Sequence, residues 1–181
     1  MSGFEVIDHV YTAPEVESLF LYAKRSYYRF GWEDAHWRDV NGQERILYSR
    51  LSPEDVFAAG LLREPMLKNE RLIELIAGRE ASIGSHGSAA VINLADPSNC
   101  FCPHTHPDHD VMVYYMNPRW NPEWAGETII YNDFEVEAEY AVSIKPGRVL
   151  WLEAGVRHTL RPPSIAAPEM RFTLAAMFEK V

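Results

Sequence analysis

Cys100-Phe101-Cys102-Pro103-His104-Thr105-His106-Pro107-Asp108-His109-Asp110 runs through the middle of this chain and is crowded with metal-capable side chains. It holds both cysteines and three of the seven histidines, a density that packing alone does not require. A β-strand places residues i and i+2 on the same face, so His106 and Asp108 are predicted to point into one space. An imidazole and a carboxylate together are two ligands of a site with two histidines and one carboxylate, which is typical of non-haem iron.

Short strands are predicted on both sides of this stretch. From residue 85 onward, β-branched and aromatic runs alternate with Pro, Gly, Asn and Asp, a pattern typical of an antiparallel sandwich or jelly roll. Residues 85–181 are therefore expected to form the core of a mainly β fold. The predicted strands span 89–94, 110–116, 127–131, 140–144, 148–152, 157–160 and 170–178.

Residues 1–80 show a different pattern, which predicts mostly helices after a short strand at 4–7. The second and third helices begin at Ser52 with Pro53 and at Glu64 with Pro65, and the third is expected to run to Gly78. The first begins at a capping box of Thr12 and Glu15. Residues 28–50 are expected to form strand and loop. These helices are expected to pack on one sheet, so that residues 1–181 form a single domain.

Composition excludes several classes of function. With 181 residues and 47% hydrophobic residues the chain is expected to be globular, and its net charge of −9 removes the electrostatic reason to bind nucleic acid or an anionic membrane. No apolar run approaches the roughly 20 residues that span a bilayer. The sequence begins without the basic-then-apolar order of a signal peptide, so a cytoplasmic location is expected. The two cysteines are expected to be reduced thiols.

A third metal ligand and an anion site are predicted further along the chain. His158 lies on a later predicted strand and is a candidate ligand. On the last strand, alternation puts Arg171 and Thr173 on one face and apolar side chains on the other. A buried arginine beside a hydroxyl is a receptor for a carboxylate, because the guanidinium donates two parallel hydrogen bonds and keeps its charge on burial.

Together these features resemble the iron(II)- and 2-oxoglutarate-dependent oxygenases, in their prolyl-4-hydroxylase-like branch, over residues 88–178. The resemblance rests on His106-x-Asp108, on the later His158, on Arg171-x-Thr173 and on the intervening segment. That segment runs from Tyr114-Tyr115-Met116-Asn117-Pro118-Arg119-Trp120 to Gly126-Glu127-Thr128, with Ala125 and Met116 where the family commonly has glycine and leucine.

The resemblance implies a double-stranded β-helix, which is a cupin-like jelly roll, and a hydroxylase activity. It implies that His106, Asp108 and His158 bind Fe(II), and that Arg171, helped by Thr173, binds the distal carboxylate of 2-oxoglutarate. The implied reaction uses O2 to hydroxylate a C–H bond and releases succinate and CO2. A carboxylate at Asp108 favours hydroxylation, since relatives that halogenate have Ala or Gly there.

Other roles remain open for the neighbouring residues. His104 and His109 can replace His106, and His104 can instead hydrogen-bond to a ligand or lie in a solvated loop. A zinc site formed by Cys100, Cys102, His104 and His106 is disfavoured, because structural zinc usually takes its ligands from two separated pairs with two to four residues between paired cysteines. Asn93, Tyr114 and Tyr115 are candidates for contact with the co-substrate, and core packing explains them equally well. Trp120 and Trp124 are candidates for a substrate lid, and a hairpin that covers the barrel mouth explains them equally well. Substrate contact is also possible for a further set, which an interface between helix and sheet explains better: Trp32, Trp37, Arg38 and Arg50.

The favoured function is hydroxylation of a small molecule or an amino acid, proline-like targets included. One alternative is a peptidyl-prolyl hydroxylase that acts on a protein. Others are a cupin-type metal dioxygenase or isomerase that does not use 2-oxoglutarate, and a non-catalytic binding module. Arg171 with Thr173 argues against the cupin type, which has no need for a carboxylate receptor.

Overall fold

Two antiparallel sheets make up most of the structure. The computed structural model describes residues 3–30, 47–51, 63–81, 90–98, 102–132 and 137–180. Within these ranges one sheet has eight strands and the other has three. The strands are β1 (Phe4–Ile7), β2 (Arg29–Phe30), β3 (Leu47–Leu51), β4 (Arg79–Ala81), β5 (Ala90–Ala95), β6 (Asp110–Tyr115), β7 (Thr128–Tyr131), β8 (Ala138–Val142), β9 (Val149–Leu152), β10 (His158–Leu160) and β11 (Arg171–Lys180).

The order of the strands in the sheets shows that most pairings are between elements distant in sequence. The large sheet has the order β1-β9-β6-β11-β5-β3-β2, with β4 paired to the end of β11, and the small sheet has the order β10-β7-β8. A mainly β fold of two antiparallel sheets agrees with the predicted jelly roll. Within the described residues of the first 81, the strands β1, β2, β3 and β4 therefore extend the large sheet.

Three α-helices are described: α1 (Ala13–Arg25), α2 (Arg63–Lys68) and α3 (Glu70–Ile76). The predicted capping box is present, because Glu15 accepts hydrogen bonds from the backbone N–H and the hydroxyl of Thr12. The helix predicted from Glu64 to Gly78 is interrupted at Asn69, whose side chain accepts a hydrogen bond from the Leu72 N–H and caps α3. None of the described helices is long and apolar enough to cross a membrane.

The outer face of the large sheet is covered by α1 and α3. Phe20 of α1 meets Phe172 of β11 edge to face, with ring centroids 5.6 Å apart. Leu72 of α3 belongs to the same buried cluster. The strand residues in this cluster include Ile92, Leu94, Met112, Tyr114, Val149, Trp151, Phe172, Leu174, Ala176 and Phe178.

A second buried cluster joins the inner faces of the two sheets. Its large-sheet members are Val111, Val113, Tyr115, Leu150 and Leu152, and from the small sheet and the loop that follows it come Ile130, Val142 and Ile144. The alternation predicted for the last strand is confirmed, because Phe172 and Leu174 lie in the outer cluster while Ala175 and Met177 pack against the inner one. Arg171 and Thr173 share the inner face.

Several predictions fall outside the described residues. These are the helix that begins at Ser52 and Pro53 and the positions of Trp32, Trp37, Arg38 and Cys100. Arg50 lies on β3.

Candidate active site

Three histidines come together where the two sheets meet. The ligand-capable nitrogens of His104, His106 and His158 all lie within 4.8 Å of one another. His158 is the first residue of β10 and is buried, while His104 and His106 lie in the extended segment before β6 and are partly buried. Two of the three predicted metal ligands, His106 and His158, are therefore neighbours, and His104 is the third member of the group.

Two of these rings are oriented by the backbone in the same way. The Nδ1 of His104 is 3.0 Å from the Cys102 carbonyl oxygen, and the Nδ1 of His158 is 2.9 Å from the Val156 carbonyl oxygen. An Nδ1–H that donates to a carbonyl fixes the tautomer and places the lone pair of the neutral ring on Nε2, the atom that can coordinate a metal. This arrangement is typical of histidines that bind a metal.

The same two residues also form a backbone pair. The His104 N–H donates to the His158 carbonyl at 3.0 Å, and the His158 N–H donates to the His104 carbonyl at 2.9 Å. This isolated bridge connects the segment before β6 to β10. The ring centroids of His104 and His158 are 4.3 Å apart.

Burial keeps all three imidazoles neutral. It lowers the pKa of His104 to about 2 and that of His106 to about 4, with a smaller contribution from the neighbouring histidines. Burial also lowers the pKa of His158. A metal ion binds the neutral imidazole, so these side chains need not lose a proton before binding. Three neutral imidazoles suit Fe(II), Zn(II), Cu(II) or Ni(II) as a donor set.

Asp108 lies outside the histidine group. It forms a turn with Pro107, and its side chain is exposed. The extended segment ends at His106, whose carbonyl accepts a hydrogen bond from the Gly155 N–H at 2.9 Å. The i, i+2 alternation that predicts a shared face therefore relates His104 to His106 and does not extend to Asp108.

Arg171 is a buried cation without a hydrogen-bond partner among the described residues. Only 1% of this residue is exposed, and Nε, Nη1 and Nη2 are all buried and unpaired. Burial lowers its pKa to about 10. A buried guanidinium is expected to be paired, since desolvating an unpaired charge is costly. The site therefore has the charge and the donors for an anionic ligand.

Polar side chains form a row beside this guanidinium. Across β5, β11 and β6, Asn93 pairs with Thr173 and Thr173 pairs with Tyr115. Asn93 Oδ1 and Thr173 Oγ1 are buried and without partners in the described structure. The Arg171 guanidinium carbon lies 5.9 Å from the centroid of the Tyr115 ring. The structure thus brings the four predicted co-substrate residues onto one inner face.

A hydrogen bond across the two sheets links this row to the histidines. Tyr115 Oη and Thr128 Oγ1 are 2.7 Å apart, and both residues are fully buried. Thr128 and Ile130 lie two apart on β7 and share a face, and Ile130 pairs directly with His158. The histidine group and the buried guanidinium therefore line the same space between the sheets.

The turn before β7 positions Arg171. A Cβ added at Gly126 would lie 3.3 Å from Arg171 Cδ and 3.0 Å from Ile144 Cδ1, so a glycine lets the chain approach the arginine. Ala125 occupies the position where the family commonly has glycine, and it adopts a φ of +54°. Trp120 Nε1–H donates to the Ala125 carbonyl at 2.7 Å, and its ring packs against the inner cluster. This tryptophan therefore covers one end of the inner cluster.

Sequence comparisons find no relatives, while structural comparisons find many. No protein-family model matches the chain, and no curated protein matches it in sequence. Among solved structures, a prolyl-4-hydroxylase from Pseudomonas putida is similar with a TM-score of 0.65 and 18% identity, over 100% of this chain and 94% of that one.

Two further structures are similar over 99% of this chain. A prolyl hydroxylase from Trichoplax adhaerens, in complex with a hypoxia inducible factor peptide fragment, has a TM-score of 0.62 and 16% identity, with 84% of that chain covered. The viral collagen prolyl hydroxylase of Paramecium bursaria Chlorella virus-1, in complex with 2-oxoglutarate, has a TM-score of 0.64 and 11% identity, with 97% covered. At these identities the likeness is one of fold, and at that level the resemblance to 2-oxoglutarate- and iron-dependent oxygenases, prolyl-4-hydroxylases included, is confirmed.

Proposed function

We propose that this protein is an Fe(II)- and 2-oxoglutarate-dependent dioxygenase that hydroxylates a C–H bond, built on a double-stranded β-helix supported by its N-terminal helices. The observation that carries the proposal is the fully buried guanidinium of Arg171, which has no hydrogen-bond partner among the described residues and lies in the same space as three neutral imidazoles. A dicarboxylate with a 2-oxo group fits both sites, because one end chelates a metal while the other pairs with arginine.

The protein's own side chains have separate roles in this function. His106 and His158 would hold the iron, and bound iron with 2-oxoglutarate and O2 would supply the oxidising power for hydroxylation of a C–H bond, with succinate and CO2 as the products of the co-substrate. Arg171 orients the distal carboxylate, and the hydroxyl of Thr173 and the amide of Asn93 offer it further hydrogen bonds. The apolar side chains of the inner cluster, among them Val113 and Leu150, exclude water from the reacting groups.

The same arginine separates this function from that of a cupin-type enzyme without a keto-acid co-substrate. Such an enzyme needs the metal ligands but has no use for a buried, unpaired guanidinium. Burying this charge without a partner costs free energy, and a co-substrate carboxylate recovers it. Arg171 with Thr173 therefore supports a 2-oxoglutarate-dependent oxygenase.

A small molecule or an amino acid, proline-like targets included, is the proposed substrate class. The Trichoplax adhaerens relative was solved with a peptide fragment, and so a protein substrate is the alternative. A screen of free amino acids and proline-containing peptides for stimulated succinate release distinguishes the two. Stimulation by peptides alone would contradict the small-molecule proposal.

The co-substrate assignment predicts a coloured complex and a ligand-dependent gain in stability. Under anaerobic conditions, Fe(II) and 2-oxoglutarate are expected to give the weak visible charge-transfer band of an iron chelate. At a 2-oxoglutarate concentration 100 times Kd, the free energy of unfolding of the iron-loaded protein is expected to rise by about 2.7 kcal/mol. Absence of the band from protein that holds iron would contradict the assignment.

The variant Arg171→Met tests the role of the arginine. It is expected to bind Fe(II) normally, to lose the stabilisation by 2-oxoglutarate, and to be at least as stable as wild type without ligand, because it removes an unpaired buried charge. Arg161→Met is the matched control, since Arg161 is 55% exposed and pairs with Glu127. A loss of iron binding along with 2-oxoglutarate binding in Arg171→Met would show that Arg171 is structural instead.

A further inference from the structure

We propose that the metal in this protein is held by three histidines, His104, His106 and His158, and that the carboxylate of Asp108 is not a ligand. The inference deepens the proposed function and rests on it for the identity of the metal as iron. It departs from the two-histidine, one-carboxylate set that the sequence resemblance implies. Three observations support it: the distances between the ring nitrogens, the orientation of the imidazole rings, and the path of the backbone from His104 to Asp108.

The distances suit one metal ion. Nitrogens that bind a common metal at about 2.0–2.1 Å lie roughly 3 Å apart. The three candidate nitrogens lie within 4.8 Å of one another without an ion, so modest ring rotations bring them to bonding distance. Within the described residues this is the only group of three or more histidine, cysteine, aspartate or glutamate side chains close enough to hold a metal.

His104 shares with His158 the features expected of a metal ligand. Each ring directs Nδ1 at the carbonyl oxygen two residues earlier, at 3.0 and 2.9 Å, which places the lone pair of the neutral ring on Nε2. Their backbones exchange two hydrogen bonds, which places the two residues opposite each other on neighbouring strands. If His158 is a ligand, His104 is positioned equally well to be one.

The path of the chain takes Asp108 away from this group. Residues 104 and 106 lie in an extended segment, where side chains two apart share a face. Pro107 and Asp108 then form a turn, and the Asp108 side chain is exposed while the histidines are partly or fully buried. In the structure this carboxylate therefore lies outside the group that can hold a metal.

Three neutral ligands change the charge of the site. Imidazoles leave the ion's two positive charges uncompensated, and Arg171 adds a third in the same space. A carboxylate ligand would have cancelled one of them. The site is therefore expected to bind dianionic chelators tightly and to favour a 2-oxo dicarboxylate over a 2-oxo monocarboxylate.

Metal titration without any co-substrate tests the ligand set. We expect His104→Ala to weaken Fe(II) binding, measured by anaerobic isothermal titration calorimetry, by more than about 100-fold, which exceeds the 10–100-fold loss typical of a group that only hydrogen-bonds to a ligand. Asp108→Ala is expected to bind like wild type. His109→Ala is the matched control, a histidine of the same loop whose Nε2 contacts Glu179 Oε1 at 3.0 Å. Far-UV circular dichroism and thermal unfolding of the metal-free variants check the fold.

A spectroscopic measurement on the wild-type protein avoids substitutions altogether. The electron paramagnetic resonance spectrum of the Cu(II)-loaded protein is expected to show coupling to three nitrogens, and a two-nitrogen spectrum would overturn the proposal. So would an Asp108→Ala variant that loses affinity as much as His104→Ala, or a His104→Ala variant that loses less than about 100-fold. Wild-type protein that binds Fe(II) but gives no band with 2-oxoglutarate would contradict the proposed function and leave the three-histidine centre intact.

Discussion

Arg171 is expected to lower the stability of the ligand-free fold while it serves the proposed binding of a carboxylate. Its guanidinium is fully buried and has no hydrogen-bond partner among the described residues, and burial lowers its pKa to about 10. A side chain selected for stability alone would be apolar at this place, because an unpaired buried charge destabilises a fold. Such a residue is expected where a ligand provides the missing charge. The sequence pattern Arg171-x-Thr173 was sufficient to find it, since alternation along a strand is a local property.

The third ligand proposed above, His104, could not be selected over Asp108 in that way. Alternation places His104, His106 and Asp108 on one face if the segment stays extended throughout. The turn at Pro107 ends the extension, and the hydrogen bond from the Gly155 N–H to the His106 carbonyl holds the chain at that point. That contact joins residues far apart in sequence, so the local pattern could not reveal it.

Ala125 gives a prediction for a single residue. Its φ of +54° and ψ of −146° lie in a region that is almost exclusive to glycine and costs other residues about 1–3 kcal/mol. We expect Ala125→Gly to raise the free energy of unfolding in urea by about 1 kcal/mol, since relief of strain outweighs the entropy that a glycine adds to the unfolded chain. Ala141→Gly, at an exposed position on β8, is the control and should destabilise. A lower stability of Ala125→Gly would show that the turn is unstrained.

At the level of elements, a buried carboxylate connects the start of β6 to two other parts of the chain. Asp110 accepts a hydrogen bond from Arg79 of β4 and another from the Ala154 N–H at 2.7 Å. Its side chain is fully buried, and Arg79 also lies over the Trp151 ring. The same turn contains Gly155, whose N–H donates to the His106 carbonyl, so this ion pair supports the backbone that holds the proposed metal ligand His106.

We therefore expect Asp110→Asn to reduce both stability and metal affinity. Breaking one partner of a buried ion pair costs about 3–5 kcal/mol, and loss of support for a ligand costs about tenfold in metal affinity. Chemical unfolding and Fe(II) titration measure the two effects. Glu74→Gln removes the exposed pair with Arg71 and should cost less than about 1 kcal/mol. Equal losses of stability in the two variants would show that the buried ion pair contributes no more than the exposed one.

The elements themselves were more predictable than their arrangement. The capping box at Thr12 and the alternation along β11 are set by neighbouring residues, and both are confirmed. The interruption between α2 and α3 was missed because Asn69 is compatible with a helix interior but caps more favourably. The order of the strands in the large sheet depends on pairings between distant segments, which no local pattern reports.

At the scale of the whole molecule, two buried clusters lie on opposite faces of the large sheet, and the candidate site adjoins the inner one. The outer cluster of α1, α3 and the large sheet contains apolar and aromatic side chains and supports the fold. Between the sheets, the apolar inner cluster adjoins the polar side chains of Arg171, Thr173, Asn93, Tyr115 and Thr128 and the histidine group. Five of the nine buried side-chain polar atoms without a partner among the described residues belong to Arg171, Thr173 and Asn93, and this concentration indicates where a ligand is expected to bind.

The buried histidines give the whole molecule a predictable dependence on pH. Their pKa values are lowered in the folded protein from an ordinary value of 6.5, so below pH 6.5 the unfolded chain binds more protons than the folded one. The stability that these residues contribute is complete above pH 6.5 and is lost as the pH falls below it. The carboxyl groups Glu5, Asp8 and Glu15 have pKa values lowered from 4.5 or 3.8, so their contribution is lost only at lower pH.

Metal-free protein is therefore expected to be less stable at pH 5.5 than at pH 7.5, by about 1.4 kcal/mol for each histidine kept neutral in the folded state. Urea unfolding at the two pH values measures this difference in the free energy of unfolding. His158→Gln is expected to reduce the difference by the contribution of one histidine. Iron-loaded protein should show a larger drop, because protons also compete with the metal for the imidazoles. Equal stability at the two pH values would mean that the histidines are solvated in the metal-free protein, and a closed, dry site between the sheets would then form only when the metal binds.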